Sequence, residues 1–469
     1  MSATAIGLAP VPASPIDEIA PRVAELRATF DSGRTRPLAW RRAQLEGLVR
    51  FVKENGDALV EALQADFGKP ELEARAADIG QVTIEAKLAL KNLKKWTRPE
   101  RAGTIPFVGK SFVVRDPLGV VLIISPWNYP VGLLLSPLVG AVAAGNAAVL
   151  KPSEVTPHTS GVLASRLPSY VDSDAIALIE GGVPETTALL EQRFDHIMYT
   201  GNGAVAKVVM EAAARDLTPV TLELGGKSPC IVDRTADIAV TARRIAWGKF
   251  LNAGQTCIAP DYVLAEESIQ EELISELSQA VKQFYVSGAK GNPDYARIVN
   301  SRHHDRVAAL LADQEVAFGG EVSAEDRYIE PTVLRNVSPD SPIMGAEIFG
   351  PVLPVLSVRG VEEAIDFVNE REKPLALYLF SADASAEERV LQETSSGGVC
   401  INGTIMQIAN SSMPFGGVGP SGMGAYHGRH TFETFSHRKA VLRRGFRFDL
   451  KMMYPPYTEG RMKWLRKIL

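Results

Sequence analysis

Cysteine is scarce in this chain: 469 residues contain three, Cys230, Cys257 and Cys400. An odd, small count cannot complete a disulfide framework and suits a reducing compartment. No two of them form a C-x-x-C pair, and His303-His304 are adjacent and cannot share one helix face, so no metal site is expected. Positive charge is not in excess either. Fifty Lys and Arg stand against 55 Asp and Glu, a formal net charge of −5 that offers no broad field for nucleic acid. The first residues, MSATAIGLAPVPASP, lack a basic region and a long apolar run, so a signal peptide is not expected and residues 1–15 read as a flexible arm of a cytoplasmic protein. A G-x-S-x-G elbow is missing, which removes a serine hydrolase of that type.

One uncharged stretch, Ser125 to Leu150, could mislead. Its length suggests a membrane span, but Pro126, Pro130, Pro137, Asn128 and Asn146 interrupt it. A strand–turn–helix–strand unit buried in an α/β core accounts for it without lipid.

What is present is ordinary for a globular chain: 46% hydrophobic and 22% charged residues. At roughly 150 residues per domain, two or three structural units are expected. The first hundred residues read as helices; Leu45, Leu48, Val49 and Val52 form one apolar stripe at i, i+3, i+4 and i+7. Phe112 to Arg115 and Gly119 to Ile124 are β-branched runs around Asp116-Pro117, predicting a hairpin or a protruding pair of strands.

Strands and helices then alternate. Strands are predicted at Val120 to Ile124, Ala147 to Leu150, Ala175 to Ile179, His196 to Tyr199 and Val220 to Leu222, with a helix at Ala204 to Arg215. This pattern predicts a parallel, doubly wound α/β sheet. A second series follows: helix Ile238 to Leu251, strand Tyr262 to Ala265, helix Ile269 to Phe284, strand Val352 to Val358, helix Val361 to Asn369 and strand Leu375 to Phe380. After His427 helix signals are weak until Arg461, and Lys439 to Arg443 is expected as an edge strand used in oligomerisation.

Gly201 to Ala206 fits G-x-G-x-x-A between a predicted strand and helix, where backbone N–H groups and helix potential suit a pyrophosphate. Plain strand–helix turns give the same pattern. The rule then looks about 20 residues further for an acid on the ribose, and Glu223 stands there. Lys151-Pro152-Ser153-Glu154 follows a strand at the edge where open α/β sheets bind ligands, although on these residues alone a solvated loop with a turn proline is the better reading. Cys257 ends a polar turn, Asn252 to Thr256, whereas Cys230 sits among Pro229, Ile231 and Val232 as a core cysteine would. An accessible thiol is a strong nucleophile once ionised.

Seven stretches stand in one order: PWNYP (126–130), KPSE (151–154), YTG (199–201), LELGGKSP (222–229), NAGQTC (252–257), EIFGP (347–351) and PFGGVGPSGMG (414–424). Together they resemble the aldehyde dehydrogenase superfamily over nearly the whole chain. PWNYP, the compact length and MYPPY from Met453 look like its class 3 branch, which includes bacterial coniferyl aldehyde dehydrogenases. The resemblance implies an α/β fold with a Rossmann-type NAD(P)-binding domain (16–225, interrupted by an oligomerisation hairpin at about 97–118). A second α/β catalytic domain (226–425) and a C-terminal oligomerisation segment and tail (426–469) would follow.

It also implies roles. Cys257 would be the nucleophile, Asn128 with the Cys257 N–H the oxyanion hole, and Glu223 the general base, which displaces the ribose assignment of Glu223. Lys151 and Glu154 would hold the adenosine ribose, Glu347 the nicotinamide ribose, with Phe349 and Trp127 packed near the cofactor. Gly201, Ala206 and Gly225 would lie along it. Here Asn202 and Ala206 depart from the family's usual Ser and Gly, so the pyrophosphate end differs. Glu154 should repel a 2′-phosphate and favour NAD, while the class 3 branch accepts NADP as well. The implied partners are a small aldehyde and a second copy in a homodimer.

Two rivals are weighed. A non-catalytic binding or structural protein on the same fold has no need of Cys257, Glu223 and Asn128 together. A CoA-acylating dehydrogenase has less need of Glu223, because water requires a base more than a thiol does. The substrate stays open between aryl aldehydes, such as coniferaldehyde, and medium or long aliphatic ones. Trp127, Tyr129, Trp247, Phe250 and Phe415 are either the walls of an aromatic tunnel or core side chains.

Overall fold

The computed structural model describes residues 11–103, 109–447, 449 and 453–468. Most of the expected N-terminal arm (1–10) and part of the expected hairpin (104–108) lie outside the described residues.

The chain opens with helices Ile16–Asp31, Leu38–Phe67 and Gly80–Trp96. Leu45, Leu48 and Val52 are buried on one side of the second, as the apolar stripe requires. Strands β1 (Glu100–Arg101) and β2 (Lys110–Pro117) follow. Next come β3 (Val120–Ile124), β4 (Ala147–Lys151), β5 (Ile176–Leu178), β6 (His196–Thr200) and β7 (Val220–Glu223). The second series holds β8 (Pro229–Val232), β9 (Tyr262–Glu266), β10 (Glu315–Phe318), β11 (Val322–Ser323), β12 (Tyr328–Ile329) and β13 (Thr332–Arg335). It ends with β14 (Val352–Val358), β15 (Ala376–Phe380) and β16 (Gly398–Ile401); β17 (Gly422–Met423) and β18 (Ser436–Arg443) close the chain's strands.

Two α/β sheets result. The first has the order β17-β7-β6-β3-β4-β5, parallel except for β17. The second has the order β10-β13-β14-β9-β8-β15-β16, parallel except for β10. Both are mixed at one edge, so the expected parallel sheets are each extended by one antiparallel strand. All five residues of β3 and of β4 are buried, consistent with helices on both faces. The uncharged stretch Ser125 to Leu150 becomes a turn, helix Gly132–Ala144 and β4, all within the protein core. Among the described residues no helix is long and apolar enough to cross a membrane.

Three sequence expectations need correction. Phe112 to Arg115 and Gly119 to Ile124 do not pair as a hairpin. β2 lies between β1 and β18 in a separate three-stranded sheet, while β3 enters the centre of the first large sheet. Asp116-Pro117 is therefore a crossing between sheets. Gly119, at φ 148, sits where a Cβ would run into the Asp195 carboxylate, and the Asp195 carboxylate takes the Val120 N–H at 2.8 Å. The expected edge strand at Lys439 to Arg443 is present as β18, three residues longer at its start. A helix that the sequence conceals, Gly428–Thr434, packs against helix Gly132–Ala144; it starts after His427, whose φ is 81.

Candidate active site

The first large sheet ends at Glu223, and the second begins six residues later. Groups from both sheets therefore meet at this crossing. β17 pairs Gly422 with Glu223 and Met423 with Leu222, so the glycine-rich segment 414–424 lies directly beside the carboxylate-bearing strand. Gly422 has φ 146 and a Cβ there would strike the Leu222 carbonyl, which explains why that contact needs glycine.

The Glu223 side chain is 2% exposed, and neither carboxyl oxygen has a hydrogen-bond partner in the protein. Burial pushes its pKa well above the usual carboxylate range. A buried, unpartnered carboxyl is costly, and native structures seldom keep one without a use.

Cys257 follows helix Ile238–Phe250 through a short turn, Leu251–Gly254. Within it Asn252, Ala253 and Gly254 adopt left-handed φ of 53, 51 and 72. Two non-glycine residues in that region cost about 1–2 kcal/mol each. Hydrogen bonds hold them there. Asn252 Nδ2 donates to the carbonyls of Gln255 and Asn128, both at 3.1 Å. Gln255 Nε2 donates to the Asn252 and Arg297 carbonyls at 3.0 Å, and its Oε1 accepts the Val299 N–H at 2.9 Å. Cys257 as a residue is partly exposed, unlike Cys230. Its pKa is raised above the ordinary value of 9, first by burial and then by the charges of Glu347 and Glu223, while the N–H groups of Cys257 and Ile258 act in the opposite sense.

Asn128 is 2% exposed, and its Nδ2 donates to the Gln255 carbonyl at 3.1 Å. An amide nitrogen carries two hydrogens, so one more donor is available toward the thiol turn. Beside it Tyr129 and Thr256 share a hydroxyl–hydroxyl hydrogen bond of 2.8 Å. The loop of Asn128 and the loop of Cys257 are thus tied by at least three side-chain bonds. Asn252, Gln255, Tyr129 and Thr256 were not singled out as network members from sequence, although three of them lie inside the NAGQTC motif itself.

On the cofactor side, Lys151 ends β4 with its side chain 2% exposed. Nζ donates to the Pro152 carbonyl at 2.5 Å and stands 4.0 Å from the half-exposed Glu154 carboxylate. Burial lowers the Lys151 pKa, and Glu154, Glu180 and Glu185 oppose that shift. A buried ammonium at the lip of a strand, facing an open carboxylate, provides both a donor and an acceptor for vicinal hydroxyls.

Gly201 donates its N–H to the Glu223 carbonyl at 3.0 Å. A Cβ at 201 would strike the Tyr199 hydroxyl, so this glycine makes room for Tyr199. Asn202 caps helix Gly203–Arg215, its Oδ1 accepting the Val205 N–H at 3.0 Å. Nothing lies within 4 Å of a Cβ placed at Gly203, which leaves the start of that helix open. The Ala206 methyl is 2% exposed and packs in the core with Val209 and Leu222, so it faces the sheet and not the open side.

Gly225 lies under the Glu347 carboxylate, which a Cβ there would strike. The Glu347 pKa is raised to about 8 by burial and by Asp261, against the Gly226 N–H and the ammonium groups of Lys227 and Lys249. Phe349, at φ 47, presents its ring to Trp127 at 5.4 Å between centres, and Trp127 lies 5.0 Å from His303. The strained backbone is held on both sides: Asp261 takes the Ile348 N–H at 3.1 Å, and Arg306 Nη2 donates to the Ile348 carbonyl at 2.7 Å. Of the aromatic residues, Phe250 belongs to the core of the second sheet, and Phe415 stacks on His427.

Two linked α/β sheets, with the second sheet's thiol turn seated against the first sheet's strand ends, describe an oxidoreductase built around a nucleotide-binding sheet. The aldehyde dehydrogenase family model matches residues 3–441. The chain is 51% identical over 452 residues to aldehyde dehydrogenase family 3 member A2 of Mus musculus, covering 96% of this chain and 93% of that protein. It is 50% identical to the dimeric, NADP-preferring aldehyde dehydrogenase of Canis lupus familiaris, covering 94% of this chain and 98% of the relative. The solved structure of the substrate-bound state of Staphylococcus aureus AldH superposes with a TM-score of 0.94 at 44% identity, over 97% of this chain and 99% of the other. The chain belongs to the aldehyde dehydrogenase family and resembles its class 3 branch. It is an NAD(P)-dependent enzyme that oxidises aldehydes to carboxylic acids.

Proposed function

We propose that Cys257 is the nucleophile, Asn128 the oxyanion donor and Glu223 the base of this oxidation. The observation that carries the reading is a partly exposed cysteine whose thiol feels the charge of a fully enclosed carboxyl that has no hydrogen-bond partner in the protein. The raised carboxyl pKa makes Glu223 a stronger proton acceptor than a surface glutamate, as a base working near neutrality needs. Sulfur adds to the aldehyde carbon as the thiol proton passes through Glu223 to water, and the oxygen gains charge facing Asn128 Nδ2 and the Cys257 N–H. One such donor is worth about 3–4 kcal/mol in the transition state. The nicotinamide, when bound, supplies the hydride acceptor. The resulting acyl group on sulfur is cleaved by water, whose proton Glu223 takes.

Lys151 and Glu154 would hold the adenosine ribose, Glu347 the nicotinamide ribose, and Trp127 and Phe349 the ring environment, with Gly201 and Gly225 along the path; Ala206, packed against the sheet, seats the helix that starts there and does not line the path. The open helix start at Gly203 and the buried Lys151 ammonium fit such a ligand. The exposed Glu154 carboxylate favours NAD over NADP by repelling a 2′-phosphate; a kcat/KM ratio strongly favouring NADP would overturn this. Residues 16–225 serve as the cofactor domain and 226–425 as the catalytic domain of a cytoplasmic homodimer joined through the β2–β18 arm. The substrate is an aryl aldehyde such as coniferaldehyde, or a medium to long alkanal, with the partly buried Trp127 and Phe415 as its aromatic neighbours and Tyr129 enclosed behind the Asn128 turn.

Glu223→Gln tests the central assignment. It is expected to keep cofactor affinity and one burst equivalent of NAD(P)H while losing steady turnover. Loss of cofactor binding instead would return Glu223 to the ribose.

A further inference from the structure

A fully buried ion pair grips the Asn128 turn from behind and has no chemical part in the cycle proposed above. Lys69 follows the left-handed cap Gly68 (φ 68) that ends helix Leu38–Phe67, and its side chain is completely enclosed. Nζ donates to the Asn128 main-chain carbonyl at 2.9 Å and to Asp78 Oδ2 at 3.2 Å, and lies 3.7 Å from the centre of the Tyr129 ring. Asp78, equally enclosed, accepts the Gly132 N–H at 2.6 Å and also the Val131 N–H. One ion pair therefore holds the turn 128–132 at both ends.

The element that supplies Asp78 is unusual. Residues Ala74–Ile79 are π-helical, inserted between Glu71–Glu73 and helix Gly80–Trp96. Such widened turns are rare and tend to accompany functional sites. Glu73, immediately before that run, takes the Asn252 N–H at 2.8 Å, at the left-handed turn leading to Cys257. The amide loop and the thiol loop are thus fastened to one stretch of chain.

Stability does not account for the pair. Enclosing two charges costs desolvation, and apolar residues of similar volume are often as stabilising or more so. What apolar residues lack is the ability to fix a carbonyl and two N–H groups at set positions. Resting on the reading of Asn128 as oxyanion donor, we infer that Lys69, paired with Asp78, is a positioning residue that aims the Asn128 amide at the reacting oxygen.

The test is a double-mutant cycle on the intact enzyme. Lys69→Met with Asp78→Asn removes both charges together and keeps an acceptor for the Gly132 N–H. The NAD(P)H burst rate at saturating benzaldehyde should fall about 10- to 100-fold, as misplacement of a reacting group does, with the cofactor KM and melting temperature little changed. In an Asn128→Ala background the same pair should cause no further loss. An equal loss in both backgrounds, or no loss in either, overturns the proposal. An undiminished burst in Asn128→Ala alone would remove the oxyanion reading, and the proposal with it. Should the double variant fail to fold, Asp78→Asn alone enters the same cycle with a smaller, severalfold loss expected and the same overturning outcome.

Discussion

At the scale of single residues, the site gathers ionisable groups whose charged forms burial disfavours. The Cys257 thiol is held above its usual pKa by burial and by two carboxyl groups, so the free enzyme keeps it protonated at neutral pH. Alkylation by iodoacetamide without cofactor should therefore be slow at pH 7 and still be rising at pH 9; a plateau reached by pH 7 would contradict this. Glu347 gives a thermodynamic counterpart. Its folded pKa of about 8 lies above the ordinary 4.5, so the folded state binds the proton more tightly than the unfolded chain. The resulting stability is complete below pH 4.5 and is lost as pH rises through about 8. The melting-temperature advantage of the wild type over Glu347→Gln should shrink across that window, and a constant difference would show that Glu347 does not titrate there.

At the scale of elements, Glu223 ends strand β7, whereas Cys257 and Asn128 sit on turns that secondary structure alone would not stabilise. Gly254 has φ 72, and a Cβ there would strike the Gly350 carbonyl of the loop carrying Glu347 and Phe349. Gly254→Ala should cost at least about 1–2 kcal/mol from the backbone alone, and should lower the alkylation rate of Cys257 as the turn shifts. Unchanged stability would mean that the two loops separate easily. This dependence on turns also decides what was legible beforehand. Central strands such as β3 and β4 are continuous apolar runs, and their extents were read almost to the residue. Asp116-Pro117 carries ordinary turn residues, and no local signal tells a hairpin from a passage between sheets. β17 is two residues inside a glycine-rich loop, paired through backbone groups that leave no pattern in side chains. The motifs singled out the Cys257 thiol, the Glu223 carboxyl and the Asn128 amide, but the bonds among Asn252, Gln255 and Asn128 depend on left-handed backbone that sequence periodicity does not carry.

At the scale of the whole molecule, one separate sheet lies apart from the two that carry the site. β18 pairs along all eight of its residues with β2, joining residues more than 300 positions apart in the chain. Its other edge has no strand beside it among the described residues, and it displays Leu442, 52% exposed, beside the basic Arg438, Lys439 and Arg443. A long free edge invites another chain unless something covers it, and a second copy of this chain would cover it in the proposed homodimer. Leu442→Glu places a charge on that surface without touching the site. Sedimentation equilibrium should then show a shift toward monomer, while the NAD(P)H burst per subunit stays unchanged, because every site group named above comes from one chain. A dimer of undiminished stability would take β18 out of the interface. A burst that fell with dissociation would instead mean that the partner subunit steadies the loops around Cys257.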